Sequence, residues 1–440
     1  WTVAATAALA LGTGVAFGLF PALHATRPDL AAALRAGAGQ VPGGARAAAR
    51  FRSGLVAAQI ALSMALLGGA ALFARSLANV LREPLGFRAE RVVAFRLSPE
   101  RGGYDGTRSA ALFARVREAL AAVPGVTAVS TAENGVLGGS EATMNVSVEG
   151  FRPAPDANTD AYLDRVGAGF FRTLGTPVLA GREFTDADRV GAPPVVVVNE
   201  AFARRFGLGR GAVGRHMAPG AGDAVRLDRE IVGVVRDARY GRVKGPVPPA
   251  FFAPVAQDTT AGTVAFYART ALDPEALREA VPPLVRRVDP ALPIEQLTTL
   301  PAQARASTFG DRFLSVLAGA FAALATALAA VGLYGVLAYT VAQRTRELGV
   351  RVALGASAAA VRRLVLGQVG RLLLAGGAAG VLGALALGRA AGALLYGLSG
   401  TDPAALAGAA LLLGAVGLAA GWVPASRASR VDPTRALRYE

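Results

Sequence analysis

The fold turns on one stretch: Gly332-Leu333-Tyr334-Gly335-Val336-Leu337-Ala338-Tyr339, running into Gln343-Arg344-Thr345-Arg346-Glu347-Leu348-Gly349-Val350-Arg351-Val352-Ala353-Leu354-Gly355-Ala356-Ser357. From 313 to 341 no charged residue occurs. A helix needs roughly 20 mostly apolar residues to cross a hydrocarbon core of about 30 Å, so this run reads as a membrane span. The polar segment that follows keeps a helical period. If the span continues past the bilayer, Arg344, Glu347 and Arg351 fall at i, i+3 and i+7 on one stripe, beside Leu348 and Val352. Glu347 and Arg351 form a favourable i, i+4 pair. Gly355 suits a left-handed helix end, and Ser357 suits the cap of a following helix. The spacing therefore predicts a short amphipathic elbow, residues 343–357, between two spans.

Working outward, further apolar runs of spanning length occur near 1–23, 54–74, 365–388 and 404–423, giving five expected spans. The composition agrees. Of 440 residues, 53% are apolar and 18% charged, against an ordinary quarter charged, so a single water-soluble globule is not expected. The 54 glycines have no G-x-y period, which excludes collagen. No cysteine is present, so no disulfide framework, thiol nucleophile or iron–sulfur cluster is available. His24 and His216 lie far apart, and no metal centre is expected.

Charge divides the chain into two materials. Residues 75–312 carry 26 of the 31 acidic side chains, mixed with 30 basic ones. The flanks hold 16 basic and 5 acidic residues, a net of 16 − 5 = +11 out of the +15 total. The arginines cluster in 24–52, in 342–363 and in the tail (Arg427, Arg430, Arg435, Arg438), three segments that alternation of spans places on one side. By the positive-inside rule that side is cytoplasmic, so 75–312 and the short link 389–403 are expected outside. The excess charge reads as juxtamembrane, attracted to membrane lipids, and not as a nucleic-acid footprint. Lysine occurs once, at Lys244, and Val243-Lys244-Gly245 is not a P-loop, so no nucleotide cofactor is expected on this chain.

Within the spans, Gln59 is expected to face another helix, Ser63 to be satisfied within its own helix, and Arg371 and Arg389 to snorkel toward the interfaces. Small residues recur every four positions at Ala61, Ala65 and Gly69, at Gly376 and Gly380, and at Gly417 and Gly421, a pattern that lets helices approach closely within a bundle or a dimer. An internal repeat also appears. The segment from Pro21 to Arg35 recurs 403 residues later, from Pro424 to Arg438, with eight of fifteen positions identical. It suggests that residues 1–23 are the last span of a preceding unit, joined by a cytoplasmic connector, 24–52, to a second unit made of a span at 53–74, an α+β domain at 75–312 and three spans in 313–440.

Inside 75–312, Arg91–Leu97, Met144–Val148, Val195–Val198, Ile231–Val235 and Thr263–Tyr267 read as strands, and Ser109–Ala122, Ala168–Leu174, Glu200–Phe206 and Pro274–Val288 as helices. Together they predict an α+β domain with β-α-β-like units. No catalytic constellation is evident: G-x-S-x-G and H-E-x-x-H are both missing, and Asp186 with Asp188 reads as a solvated turn with a helix cap.

The 332–357 stretch resembles the signature of FtsX-like permeases, closest to the MacB type of ATP-binding-cassette (ABC) transporter, and the resemblance extends over about 50–440. The repeat resembles the duplicated form of that family. The resemblance implies an α-helical transmembrane bundle, five spans here and four in the complete unit, with an extracytoplasmic MacB-like core domain. It implies a non-enzymatic permease in a bacterial inner membrane that binds no cofactor, uses ATP through a separate ABC ATPase subunit, and pairs with a second permease unit. It further implies that the elbow, Arg344, Arg346, Glu347, Leu348, Gly349, Arg351, Val352 and Gly355, contacts the ATPase and passes its motion outward, most simply for export. Lipoprotein extraction, activation of a cell-wall hydrolase, and a membrane-anchored receptor without transport remain alternatives on the sequence alone.

Overall fold

The computed structural model describes residues 43–430 apart from 139–141, 155–156, 223–224 and 259–261, together with positions 4 and 7. The expected first span, the repeat segment that follows it and most of the connector lie outside the described residues. Two compact units form. The helical unit takes the chain up to Ala71, Gly319–Ala390 and the chain from Thr401, and the α+β unit takes Leu72–Ala318 with Ala391–Gly400.

In chain order, the first described helix is α1 (Gly43–Arg82). The α+β unit then builds β1 (Val92–Leu97), α2 (Gly106–Ala121), β2 (Val126–Ala132), β3 (Ala142–Val148), β4 (Asp160–Val166), α3 (Phe170–Leu174) and β5 (Val178–Gly181). It continues through β6 (Val195–Asn199), α4 (Glu200–Arg205), β7 (His216–Pro219), β8 (Arg229–Val235), β9 (Ala250–Pro254), β10 (Val264–Thr270), α5 (Pro274–Val288), β11 (Ile294–Thr299) and α6 (Leu300–Ser307). The chain ends in α7 (Phe309–Gln343), α8 (Thr345–Ala353), α9 (Ala358–Ala390) and α10 (Pro403–Ala428).

Sequence fixes many of these boundaries through caps. Asp105 accepts the Arg108 N–H at 2.8 Å to open α2, Asn199 the Phe202 N–H at 2.9 Å to open α4, and Asp402 the Ala405 N–H at 2.8 Å to open α10. Each satisfies one of the four backbone donors a helix start leaves unpaired. Pro274 and Pro403 occupy first-turn positions, where a missing N–H costs nothing.

The strands form one sheet with two regions. The order β11-β1-β10-β2 is antiparallel throughout. With α2 and α5 as crossovers it has the strand order of a split β-α-β motif whose middle connection holds everything from β3 to β9. Inside that insertion β4, β3, β7, β8, β6 and β9 pair in a closed ring, with β4–β9 and β6–β8 parallel. A ring leaves few exposed edges for a second chain to add to. One core, with Phe95, Phe266, Leu112 and Val281, lies between the four-stranded region and its helices, and a second, with Phe170, Phe171, Tyr240, Phe252 and Tyr267, unites the two regions. Each fully buried Phe contributes about 1.5–3 kcal/mol.

The expected Asp186–Asp188 turn differs in one respect. Asp188 is buried at 5% exposure, accepts two bonds from Arg182 at 2.8 and 2.9 Å and the Thr185 N–H at 2.8 Å, and no helix starts there. It is an internal brace of its own loop, affordable because three donors replace lost water. Asp164 is more demanding. At 1% exposure on β4 it faces the core side occupied by Tyr162 and Val166, and burial pushes its carboxyl up to about 7.

Among the described residues four helices are long and apolar enough to cross a membrane: Arg50–Arg82, Phe309–Gln343, Ala358–Ala390 and Pro403–Ala428. Glycine sets how closely they pack. A Cβ on Gly376 would sit 2.6 Å from the Ala57 carbonyl oxygen, and one on Gly380 2.5 Å from that of Ala61, so α9 lies backbone-to-backbone against α1. Gln59 faces Gly332 on α7, whose Cβ would come 2.5 Å from the Gln59 Oε1. The Ser63 hydroxyl reaches the Gln59 carbonyl at 2.9 Å and the Ala325 carbonyl at 2.8 Å, so it serves α7 as well as its own helix. Arg371 and Arg389 are exposed on α9. The 391–400 link packs within the α+β unit, where the Tyr396 N–H donates to Ser76 Oγ at 2.9 Å and Asn79 Nδ2 to the Gly397 carbonyl at 3.2 Å.

Two outcomes follow. Gly380→Leu must displace the Ala61 carbonyl and Met64 and is expected to cost about 1–3 kcal/mol, whereas Gly377→Leu, whose Cβ meets nothing within 4 Å, should leave the thermal midpoint of the purified protein unchanged. For Asp164 the folded pKa lies above the unfolded one, so its contribution is fully present below about pH 4 and lost as pH rises through about 7. Asp164→Asn keeps an acceptor oxygen and removes the titration. Its stability should stay flat between pH 5 and 8, while the wild type falls by an amount on the order of a few kcal/mol over the same range.

Candidate functional site at the elbow between two spans

The elbow is a separate helix, not a continuation of the span. Helix α7 ends at Gln343, and Arg344 leaves helical geometry with φ −103° and ψ 14°. The Arg344 N–H divides between the Thr340 and Val341 carbonyls at 3.2 and 3.1 Å, and the Thr345 hydroxyl reaches the Val341 and Ala342 carbonyls at 3.1 and 2.9 Å. These bonds absorb carbonyls that the ended helix leaves free and redirect the chain. The continuous stripe read from sequence is therefore broken. Glu347 and Arg351 share the α8 surface, and Arg344 sits before it.

The far end of α8 closes on a glycine. Gly355 has φ +94°, its N–H donates to the Val352 carbonyl at 3.0 Å, and the Ala356 N–H donates to the Arg351 carbonyl at 2.9 Å. That pair of bonds is a Schellman motif, which needs a residue at ease in the left-handed region. Two residues on, Ser357 Oγ accepts the Ala360 N–H at 3.3 Å and opens α9. The turn is thus closed by hydrogen bonds at both ends.

The two faces of α8 differ sharply. Leu348, 3% exposed, enters the helical unit's core with Val56, Leu337, Val361 and Ala425, Val352 packs partly buried against the same cluster, and Gly349 is buried beside them. On the other face Arg346, Glu347 and Arg351 are exposed, with Arg351 bonded to Glu347 at 2.7 Å. An exposed pair of this kind contributes only about 0.3–0.5 kcal/mol, so it orients the side chains more than it stabilises the helix. Val350 and Leu354 are apolar yet 40% and 82% exposed. Sequence reading missed Leu354, because it falls off the charged stripe and looks like any residue before a helix-ending glycine. Its signal is a large apolar side chain in an otherwise polar connector.

Nearby arginines are held on aromatic rings. Arg52 on α1 lies 4.3 Å from the ring centre of Tyr339, Arg362 on α9 5.9 Å from that of Trp422, and Arg427 on α10 donates to the Tyr334 hydroxyl at 3.1 Å. Cation–π contacts and aromatic side chains at helix ends are the features expected where spans meet a membrane interface. Among the described residues no group of three or more His, Asp or Glu is placed to hold a metal. Chemically, the site offers a firmly seated helix with one mixed apolar and charged face.

The family profile described as MacB-like periplasmic core domain matches residues 53–284, and that described as FtsX-like permease C-terminal matches 319–433. A pyoverdine export ATP-binding/permease protein, PvdT, of Pseudomonas savastanoi pv. phaseolicola is 29% identical over 292 residues, covering 64% of this chain and 43% of the relative. The PvdT of Pseudomonas aeruginosa is 26% identical over 286 residues, covering 63% and 42%. The chain thus spans under half the length of these relatives. The crystal structure of the periplasmic region of MacB from Actinobacillus actinomycetemcomitans matches 52% of this chain and 97% of that one, at 12% identity and a TM-score of 0.34. With its apolar helices, its α+β unit and two family profiles that together run from 53 to 433, the chain belongs to the FtsX/MacB-type ABC transporter permeases.

Proposed function

We propose that this permease relays the motion of a cytoplasmic ATPase, through the elbow 343–357, to an extracytoplasmic domain near 75–312, and that the work done there is export. ATP is consumed by the partner, and the chain pairs with a second permease unit, as a duplicated half or as a homodimer, in a bacterial inner membrane. The observation that carries the reading is the two-faced α8. Leu348 and Val352 tie it into a core shared by all four long helices, so a push on α8 is not absorbed locally. Arg346, Glu347, Arg351 and Leu354 offer the partner a face. A small cluster with one buried apolar anchor and charged neighbours is how interfaces concentrate their energy.

The relay needs a lever as well as a handle. Helix α7 leads directly into the elbow and runs 35 residues, about 50 Å at 1.5 Å per residue. A continuous helix transmits a rigid-body displacement along its axis, which is the simplest form such coupling takes. The pyoverdine export relatives support outward transport as its use.

The test is coupled ATP hydrolysis in the reconstituted complex, with cross-links placed at 346–351 to capture the partner. Leu354→Asp should weaken ATPase association by about 30-fold, the equivalent of the roughly 2 kcal/mol that marks an interface anchor, without changing the permease's own thermal midpoint. Unchanged association and unchanged coupled turnover in Leu354→Asp and Glu347→Lys together would reject the elbow as the contact. Gly355→Ala acts differently. It strains the left-handed end of α8 by about 1–2 kcal/mol, so it should lower the coupling of hydrolysis to transport while the ATPase still binds.

A further inference from the structure

We propose that the segment Arg239–Gly245, which follows β8, is a node that bonds the α+β unit to the end of α1, the start of α7 and the turn joining α9 to α10, with Arg239 as its positioning residue. The node's use rests on the relay proposed above, whereas its contacts do not.

Arg239 gathers segments that lie far apart in the chain. Its side chain is 10% exposed, and a guanidinium so placed must spend its donors on the protein. They go to the Glu83 carboxylate just beyond α1, to the Gly245 carbonyl, and to the Tyr396 hydroxyl at 3.5 Å in the α9–α10 turn. The Arg239 N–H adds a bond to the Leu85 carbonyl at 2.8 Å. Backbone contact is close there as well. Gly86 has φ +80°, a Cβ on it would strike the Asp237 carbonyl, and the Phe87 ring stacks on Tyr240 with centres 5.9 Å apart. At the far end of the segment the Lys244 ammonium is paired with Asp311 in the first turn of α7. All these residues belong to the α+β unit.

The α9–α10 turn is seated from a second side. Ser76 and Asn79, at i and i+3 on one stripe of α1, both hold it. Ser76 Oγ accepts the Tyr396 N–H at 2.9 Å, and Asn79 Nδ2 donates to the Tyr396 and Gly397 carbonyls at 3.4 and 3.2 Å. The Tyr396 ring packs partly buried against the core that unites the two regions of the sheet. A connection whose only task is to join two spans runs over the surface with its backbone in water. This one gives up backbone groups and a tyrosine to the α+β unit. Each long helix thus has an end tied to one short segment, so a rigid-body displacement of any of them reaches the α+β unit without passing through a free connector.

The test follows backbone hydrogen exchange by mass spectrometry in the full chain in nanodiscs, first alone and then with the ATPase captured at 346–351 and ATP plus vanadate. In the chain alone, Arg239→Ala should speed exchange across 391–400 several-fold, Asn79→Ala by less, and Arg236→Ala, at an exposed neighbour, not at all. Unchanged exchange in β6 and β10 shows that the fold is intact. In the complex, nucleotide should alter exchange in the elbow of every variant, and in the α+β unit only where the node is whole. A Cβ on Gly397 would sit 3.7 Å from that of Asn79, within disulfide range, and the chain has no other cysteine to interfere. Asn79→Cys with Gly397→Cys, added to Arg239→Ala, should therefore restore the α+β response when oxidised and lose it when reduced. Unchanged exchange at 391–400 in Arg239→Ala, an α+β response that survives that substitution, no recovery on oxidation, or a wild-type α+β unit that stays silent while the elbow responds would each overturn the proposal. A wild-type elbow that ignores nucleotide would instead defeat the relay, and the exchange rates of the chain alone would then decide the node.

Discussion

A hydrocarbon core contains no water to satisfy a peptide group, so every N–H and C=O that crosses it must find its partner within the chain. That constraint forces helices on the flanks and decides how they meet. With lipid as apolar as the side chains, helices gain little by hiding leucine from it, and close approach of small residues takes over. Gly376 and Gly380 bring α9 onto the Ala57 and Ala61 carbonyls of α1, and Gly332 makes room on α7 for Gln59. The core gathered this way, Ile60, Met64, Leu333, Leu337, Val365 and Val369, includes Leu348 from outside the long helices. The elbow owes its position to a bundle whose spacing was set by the absence of side chains.

The same constraint explains what could be read in advance. Spans announce themselves because the solvent dictates composition over twenty residues, and caps such as Asp402 and Ser357 are legible because one side chain meets one backbone donor. Gly355 was legible for the same local reason. The break at Arg344 was not. It depends on whether Thr345 turns its hydroxyl back to the Val341 and Ala342 carbonyls, a choice that local propensity alone does not decide.

The α+β unit was readable only where burial is one-sided or complete. Val195–Val198 and Ile231–Val235 are unbroken β-branched runs, and both are strands. Strand β2, Val126-Thr127-Ala128-Val129-Ser130-Thr131-Ala132, carries small and polar residues and gave no such signal, and β4 contains Asp164 and Arg165, which argue against a buried strand until the partners are known. Their pairing is long-range: β2 lies against β10, more than a hundred residues on. A hydrophobic period reports a face, and nothing in it reports which distant strand supplies the other half.

Asp164 shows where sequence and structure part most clearly. A carboxyl at 1% exposure is destabilising in its charged form. Its hydrogen bond to the Asn134 N–H nonetheless begins the chain of contacts that holds Leu137 at φ +55°, a conformation a leucine adopts only under compulsion. Stability is spent in one place to fix backbone geometry in another. The cost falls inside the α+β unit, on the turn that carries Leu137, whereas the elbow achieves its left-handed turn cheaply with glycine. Where glycine suffices, a fold needs no buried charge to impose such a conformation. The leucine at 137 is buried at 6% exposure and joins the core that unites the two regions of the sheet.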